Sequence, residues 1–376
     1  MSGRDRNKPC HCGSGQKYKK CHLLIEQHVN TGQVKKLEIY ELQKIFDETL
    51  HKEICVAKDL DTPRNCTDKI INAHSLTKSL SLERIAEKGH VYGFKNKDLF
   101  SFFKSDGFIK LRKLGIRTAS TFKGFCSYHD DYLFSSIEKD DFVLSVEQIL
   151  ALFYRSFALE YYKKNNALEN ARKTFQPLLK NTHKNKLDLR PEIIVANLKR
   201  ANLDLEDNLK IRKKIVDCFN GDAGNSIKTY AINVIGEFPF VCTGLFALYK
   251  DLSNNILQNI YDYHLPEIEY LSLNIFYAKD GSCWIVINWF ENDNLINKFI
   301  DEFKKFSIVE QVNIVTNMML QYTENIYFSH DYIEGLDASE KFKIEKLFNK
   351  SLRGEFSSLT EMNFKFENLS FKVKEL

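Results

Sequence analysis

Three cysteines and a histidine crowded near the start constrain this 376-residue chain more than any other feature. The run is Cys10-His11-Cys12-Gly13-Ser14-Gly15-Gln16-Lys17-Tyr18-Lys19-Lys20-Cys21-His22. Three soft sulfurs and one imidazole are a tetrahedral set for a closed structural zinc site. Gly13 and Gly15 let the backbone reverse after the first pair, because glycine adopts positive φ without penalty. A segment so short and polar cannot offset its own ordering entropy, so zinc binding and folding are expected to be one event. Cys10, Cys12, Cys21 and His22 are the expected ligands, and His11 competes with His22 for the fourth place.

Carried by Pro9-Cys10, Cys12-Gly13-Ser14-Gly15, Lys17-Tyr18-Lys19-Lys20 and Cys21-His22, the run resembles the SEC-C motif, the metal-binding tail of the SecA translocation ATPase. That motif occurs in many otherwise unrelated bacterial proteins. The resemblance favours His22 over His11 and covers about 20 residues. It departs at His11, where the family has Pro. In SecA the motif contacts the chaperone SecB and the ribosome, so the resemblance implies a docking role.

Charge points the same way. Residues 1–36 hold eight Lys/Arg against two acids, a net +6, whereas the whole chain carries +4. A basic patch concentrated at one end attracts nucleic acid, ribosome or an acidic protein face. No apolar run approaches the length of a membrane span, and the first residues lack the apolar stretch of a signal peptide. Nine cysteines, an odd number with metal spacing at the start, fit a reducing cytoplasm better than a disulfide framework.

A second constellation lies between residues 55 and 142. A strand over 69–73 delivers His74 at its end, and Cys126 and His129 follow one helical turn apart. Ser81 is expected to cap a helix over 82–88 that Gly89 stops. Three readings stay open. Cys66, His74, Cys126 and His129 can close a second zinc site in treble-clef geometry. Alternatively, the strand ending in His and the later helix bearing His resemble the HNH nucleases. That resemblance implies His74 as general base and His129 as ligand of Mg2+ or Mn2+, with Asp130 as a further ligand. It departs at Ala73, where the family has Asp or His, and in the single cysteines. The third reading is core histidines without metal. Cys55 reads as core, and His90 as a hydrogen-bonded group in a strand over 90–94. The His-Ser, Gly-His-Val and Gly-Phe-Cys-x-x-His-Asp arrangement also resembles uncharacterised bacterial proteins, with no function attached.

Around these, helices are expected over 33–52, 145–173 and 191–219. Ser145 and Gln148 form a capping box for the second, and Arg155 and Glu160 are expected at the surface. Past a break at 221–225 the period becomes alternating, with strands over 227–235, 238–250, 270–278 and 283–290. Lys279-Asp280-Gly281 closes a hairpin that sets Leu271, Leu273 and Ile275 against Trp284, Val286 and Asn288. Helices over 295–306, 307–321 and 339–352 cover one face. Glu324, Asn325 and His330 lie together in 322–332.

The expected class is α+β: a zinc knuckle (1–32), a treble-clef or HNH-like domain (33–142), a helical region (143–222) and an antiparallel sheet covered by helices (223–376). No phosphate-cradling glycine loop or nucleophile elbow is present. The expected function is a cytosolic bacterial zinc protein that docks through its knuckle to nucleic acid, ribosome or a protein partner. The alternative is a metal-dependent nuclease acting on foreign nucleic acid.

Overall fold

Alternating apolar runs in the C-terminal half form the strands that the period of two demands. The computed structural model describes residues 5–8, 10, 17–20, 23, 39–50, 52–67, 69–95, 98–179, 191–219, 227–261, 267–364, 366 and 369–375. The class is α+β with two antiparallel sheets. The described residues fall into two units, each assembled from separate stretches of chain: 1–53, 97–106 and 161–211 in one, and 54–96, 107–160 and 212–376 in the other.

In the first unit, the helix Ile39–Leu50 meets residues 161–179 of the long helix Val146–Leu179. Tyr162 Oη donates to the carbonyls of Leu50 and Lys52, both at 3.0 Å. Asn170 donates to Thr49 Oγ1 at 3.1 Å, and Lys173 pairs with Glu48. At the N-terminal end, the Tyr18 N–H reaches the Lys8 carbonyl at 2.9 Å. Cys10 and Tyr18 are buried there, while Lys17, Lys19 and Lys20 are exposed. Cys12, Cys21 and His22 lie outside the described residues.

The second unit is built on an eight-stranded antiparallel sheet. Its strands are β2 (His90–Phe94), β3 (Leu111–Gly115), β5 (Ile227–Ile235), β6 (Phe240–Phe246), β7 (Leu271–Tyr277), β8 (Cys283–Phe290), β9 (Ile326–Phe328) and β10 (Ser370–Glu375). The order is β10-β5-β8-β7-β6-β9-β2-β3. Residues 90–115 thus extend the sheet that the C-terminal half begins. A smaller sheet pairs β1 (Ile70–His74) with β4 (Thr121–Cys126), and the helix Ser127–Glu138 follows directly.

Every residue of β6, β7 and β8 is buried, because helices cover both faces of the sheet rather than one. On one side Ser156, from the long helix, joins Thr243, Asn274 and Ser272 in a closed hydrogen-bond network. On the other, Tyr230 donates to Gln311 and packs edge-on against Phe303. A polar cluster inside an apolar core is tolerated only when fully paired, and then it fixes register.

The hairpin forms at 278–282, with Gly281 at φ +81°. Its register is one residue from the expected one. Tyr277 faces Cys283, so Leu271, Leu273 and Ile275 pair with Trp289, Ile287 and Ile285. The number of loop residues sets this parity, which moves each partner to the opposite face. Ser145 and Gln148 do cap the long helix reciprocally at 3.3 Å. Ser81 instead sits inside a π-helix, Lys78–Leu82, and accepts the Tyr277 N–H at 3.1 Å. Arg155, expected at the surface, is 3% exposed.

Where β6 passes the C-terminus of the helix Ile308–Tyr322, only glycine fits. A Cβ on Gly244 would lie 2.7 Å from Thr323 Cβ and Oγ1. Gly244→Ala is therefore expected to cost roughly 1–3 kcal/mol through overpacking, seen as a lower midpoint in chemical denaturation, with Gly281→Ala acting on the turn alone.

Candidate metal centre

Four ligand atoms converge at the junction of β4 and the helix Ser127–Glu138. They belong to Cys55, Cys66, Cys126 and His129, and all lie within 4.8 Å of one another. Such a Cys3His cluster can hold a metal ion. Each residue arrives by a local device. Cys126 ends β4 and caps the helix, its sulfur accepting the His129 N–H at 3.4 Å. His129 stands one turn in, on the same face. Cys55 is brought alongside β4 by backbone bonds from Ile54 N to Lys123 O (3.1 Å) and from Val56 N to Gly124 O (2.8 Å). Cys66 sits in the stretch leading into β1, where Ile70 pairs with Cys126.

The donor set fits a tetrahedral ion. Zn–S and Zn–N bonds of about 2.3 and 2.0 Å imply tetrahedral edges of about 3.5–3.8 Å. His129 Nδ1 lies 3.3 Å from both Cys55 Sγ and Cys126 Sγ. Its Nε2 faces Thr62 Oγ1 at 3.2 Å, and that hydroxyl donates to the Arg64 carbonyl at 2.9 Å. The relay fixes Nε2 as the protonated nitrogen and Nδ1 as the ligand, the usual arrangement of an outer-shell partner. Tyr128 Oη accepts the Arg64 N–H at 3.2 Å, so the loop carrying Cys66 is tied to the first helical turn.

The thiols are unequal. Burial pushes Cys55 up to about 12. Burial also acts to raise Cys126, but the N–H groups of His129 and Thr67 bring it down to about 7. Cys126 is thus more readily a thiolate than Cys55, and metal binding requires both to be deprotonated. Burial lowers His129, which keeps the ring neutral and able to bind. Burial pushes the neighbouring Asp130 carboxyl up to about 6, and its Oδ1 is buried without a hydrogen-bond partner.

Of the expected second set, the structure brings together Cys66, Cys126 and His129. His74 lies elsewhere, and Cys55, expected in the core, completes the cluster. His74 pairs with Thr121 at the far end of the hairpin from Cys126, about 13 Å along the strand at 3.3 Å per residue. The single signal for Cys55 in the sequence was its position 11 residues before Cys66, with no short-range metal spacing.

His74 is half-buried, and its Nε2 faces the Ile116 carbonyl at 3.4 Å. A buried network fixes the backbone beyond it. Ser75 Oγ bonds Ser120 Oγ at 2.7 Å and accepts from Asn325 Nδ2 at 2.9 Å, and Tyr327 Oη bonds both Asn325 and the Ser120 N–H. Ser120 is held at φ +62°, a left-handed conformation costly for a residue with Cβ. His90 is exposed and faces the Lys88 carbonyl at 2.9 Å. His330 contacts Glu87 and lies 2.9 Å from Lys113 Nζ. Cys218, Cys242 and Cys283 are buried. Among the described residues, no helix is long and apolar enough to cross a membrane.

Residues 6–24 match the SEC-C motif model. No curated protein and no solved structure matches the chain.

Thr62→Val removes the acceptor that orients His129 while preserving shape. It is expected to weaken metal retention 10–100-fold, measured by competition with a chromophoric chelator, with little change in fold when metal is in excess.

Proposed function

We propose that the chain is a cytosolic bacterial zinc protein that docks through its N-terminal knuckle onto nucleic acid, ribosome or an acidic protein face. The observation that carries this reading is the SEC-C match over residues 6–24 together with Lys17, Lys19 and Lys20 exposed beside buried Cys10 and Tyr18. Zinc in the knuckle would be held by Cys10, Cys12, Cys21 and His22, and would fold a segment that has little core of its own. A second zinc on Cys55, Cys66, Cys126 and His129 would lock residues 55–66 to β4 and the following helix. In that position its role is structural, since four protein ligands close the coordination shell. Three lysines on a short turn, within a segment of net +6, supply the attraction to a polyanion.

One observation favours a second reading, an HNH-like nuclease acting on foreign nucleic acid. The hairpin β1–β4 followed by a helix has the order that reading requires, and His74 ends its first strand. Because Cys55 takes the fourth place in the cluster, His74 is not needed there, and a zinc site and a histidine base no longer compete for one imidazole. His129 is engaged on both ring nitrogens, so Mg2+ or Mn2+ at His74 would require other ligands. Such an ion, when bound, would neutralise charge on the scissile phosphate.

Replacing Lys17, Lys19 and Lys20 with Glu is expected to abolish binding of the full chain to single-stranded RNA and to ribosomes. Wild-type affinity should fall steeply between 50 and 200 mM salt, as counterion release requires. Fluorescence anisotropy across that range checks it, and salt-independent binding that survives the triple substitution would sink the docking reading.

A further inference from the structure

A cavity of about 510 Å³ lies between the helix Ala338–Leu352 and the stretch 357–364. Small-molecule sites span roughly 300–1,000 Å³. Lys343, Lys346 and Lys350 belong to its lining. Residues three and four apart share one helix face, so the three lysines form a single stripe along it. Lys343 and Lys346 are exposed, and Lys350 is half-buried. Buried Ile344 and Phe364 and exposed Met362 bring apolar surface to the same lining.

Two observations set this cavity apart from a solvated surface cleft. The first is that its wall is built. The stretch 357–364 has no helix or strand of its own, yet three buried amides four residues apart on the helix Ile308–Tyr322 hold its backbone. Asn317 Nδ2 donates to the carbonyls of Leu359 at 2.9 Å and Glu361 at 2.8 Å. Asn313 Oδ1 accepts the Phe364 N–H at 3.0 Å, and Gln321 Oε1 accepts the Ser357 N–H at 2.7 Å. A wall fixed in advance lowers the ordering cost of binding. The second is uncompensated charge. Glu340 closes the capping box with Asp337, and Glu345 accepts the Leu111 N–H at 3.0 Å. Lys341, on the same helix, pairs with Glu334 at 3.7 Å. Among the described residues, Lys343, Lys346 and Lys350 enter no ion pair. Like charges at this spacing destabilise a helix unless an anion joins them.

We propose that this cavity binds a nucleotide, with its phosphates on Lys343, Lys346 and Lys350. Phosphate oxygens accept several charge-assisted hydrogen bonds at once, and lysine meets them as a point charge without a glycine loop. The rest of the lining selects a nucleotide over a bare anion. Glu361 is exposed and lines the cavity, with Asn363 Nδ2 at 3.4 Å from its carboxylate. That carboxylate repels a free phosphate ion but offers acceptors to sugar hydroxyls or a base amino group. Tyr332 also lines the cavity, and its hydroxyl has no hydrogen-bond partner among the described residues. Ile344, Phe364 and Met362 give a base apolar surface to lie against. The site uses none of the metal ligands and none of the knuckle lysines, so it stands independently of the docking reading.

The test is isothermal titration calorimetry of the full chain with ADP, GDP, CDP and UDP, beside their nucleosides and pyrophosphate. At least one nucleotide should bind at one site per chain, roughly tenfold or more tighter than its nucleoside and than pyrophosphate. Lys343→Ala and Lys350→Ala should each weaken it roughly tenfold, the loss of a charged hydrogen bond, with the melting temperature unchanged. Replacing Lys17, Lys19 and Lys20 with Glu should leave the affinity as it was. No binding of any of the four nucleotides at millimolar concentration overturns the proposal. So does full affinity in a Lys343→Ala, Lys350→Ala double variant, or affinity lost in the knuckle variant instead. A nucleoside that binds as tightly as its nucleotide removes the role of the lysines. Pyrophosphate binding as tightly as the nucleotides reduces the site to an anion patch and overturns the nucleotide assignment.

Discussion

Convergence of three sulfurs and one imidazole at the end of β4 is the constraint on which the middle of this molecule depends. The hairpin β1–β4 is only two strands wide, and such a hairpin is marginal by itself. The cluster joins it to residues 55–66, a stretch without regular structure, and to the first turn of the helix Ser127–Glu138. Without metal, the four ligand residues would include one thiol raised to about 12 and another lowered to about 7. With metal, the folding free energy of the segment includes the metal's own.

A second layer of constraint comes from buried polar groups that are paired rather than avoided. Ser156 ties the long helix to Thr243 and Asn274, and Asn325 ties β9 to the turn after His74. Both networks lie in the second unit, in which strands from residues 90–115 and 227–375 form one sheet. Neither is a generic packing contact, because replacing one partner would leave the others unsatisfied in a low-dielectric interior. They convert a sheet held by hydrophobic burial into one with a single register. They also fix the backbone beside a histidine that the metal cluster does not use.

The local signals were legible in the sequence. Alternation located β5, β7 and β8 almost to the residue, the Lys279-Asp280-Gly281 turn formed, and the Ser145–Gln148 box capped its helix. What depended on long-range pairing was not legible. Nothing in residues 90–115 announces β9 as a partner, and the hairpin parity that pairs Ile275 with Ile285 rests on one loop residue. Arg155 looked like a surface residue because its partner, Glu138, lies 17 positions earlier on another helix. For the cluster, the Cys126-x-x-His129 spacing was readable because one helical turn brings the two together. Cys55 was not, since three residues of pairing beside β4 bring it in, and no short spacing records that.

The central claim is that Cys55, rather than His74, completes a second zinc site in addition to that of the N-terminal knuckle. Zinc stoichiometry of purified full-length protein, by elemental analysis of the wild type, Cys55→Ala and His74→Ala, tests it most directly. The account predicts two zinc atoms per wild-type chain, one in Cys55→Ala and two in His74→Ala. Two in Cys55→Ala and one in His74→Ala would contradict it.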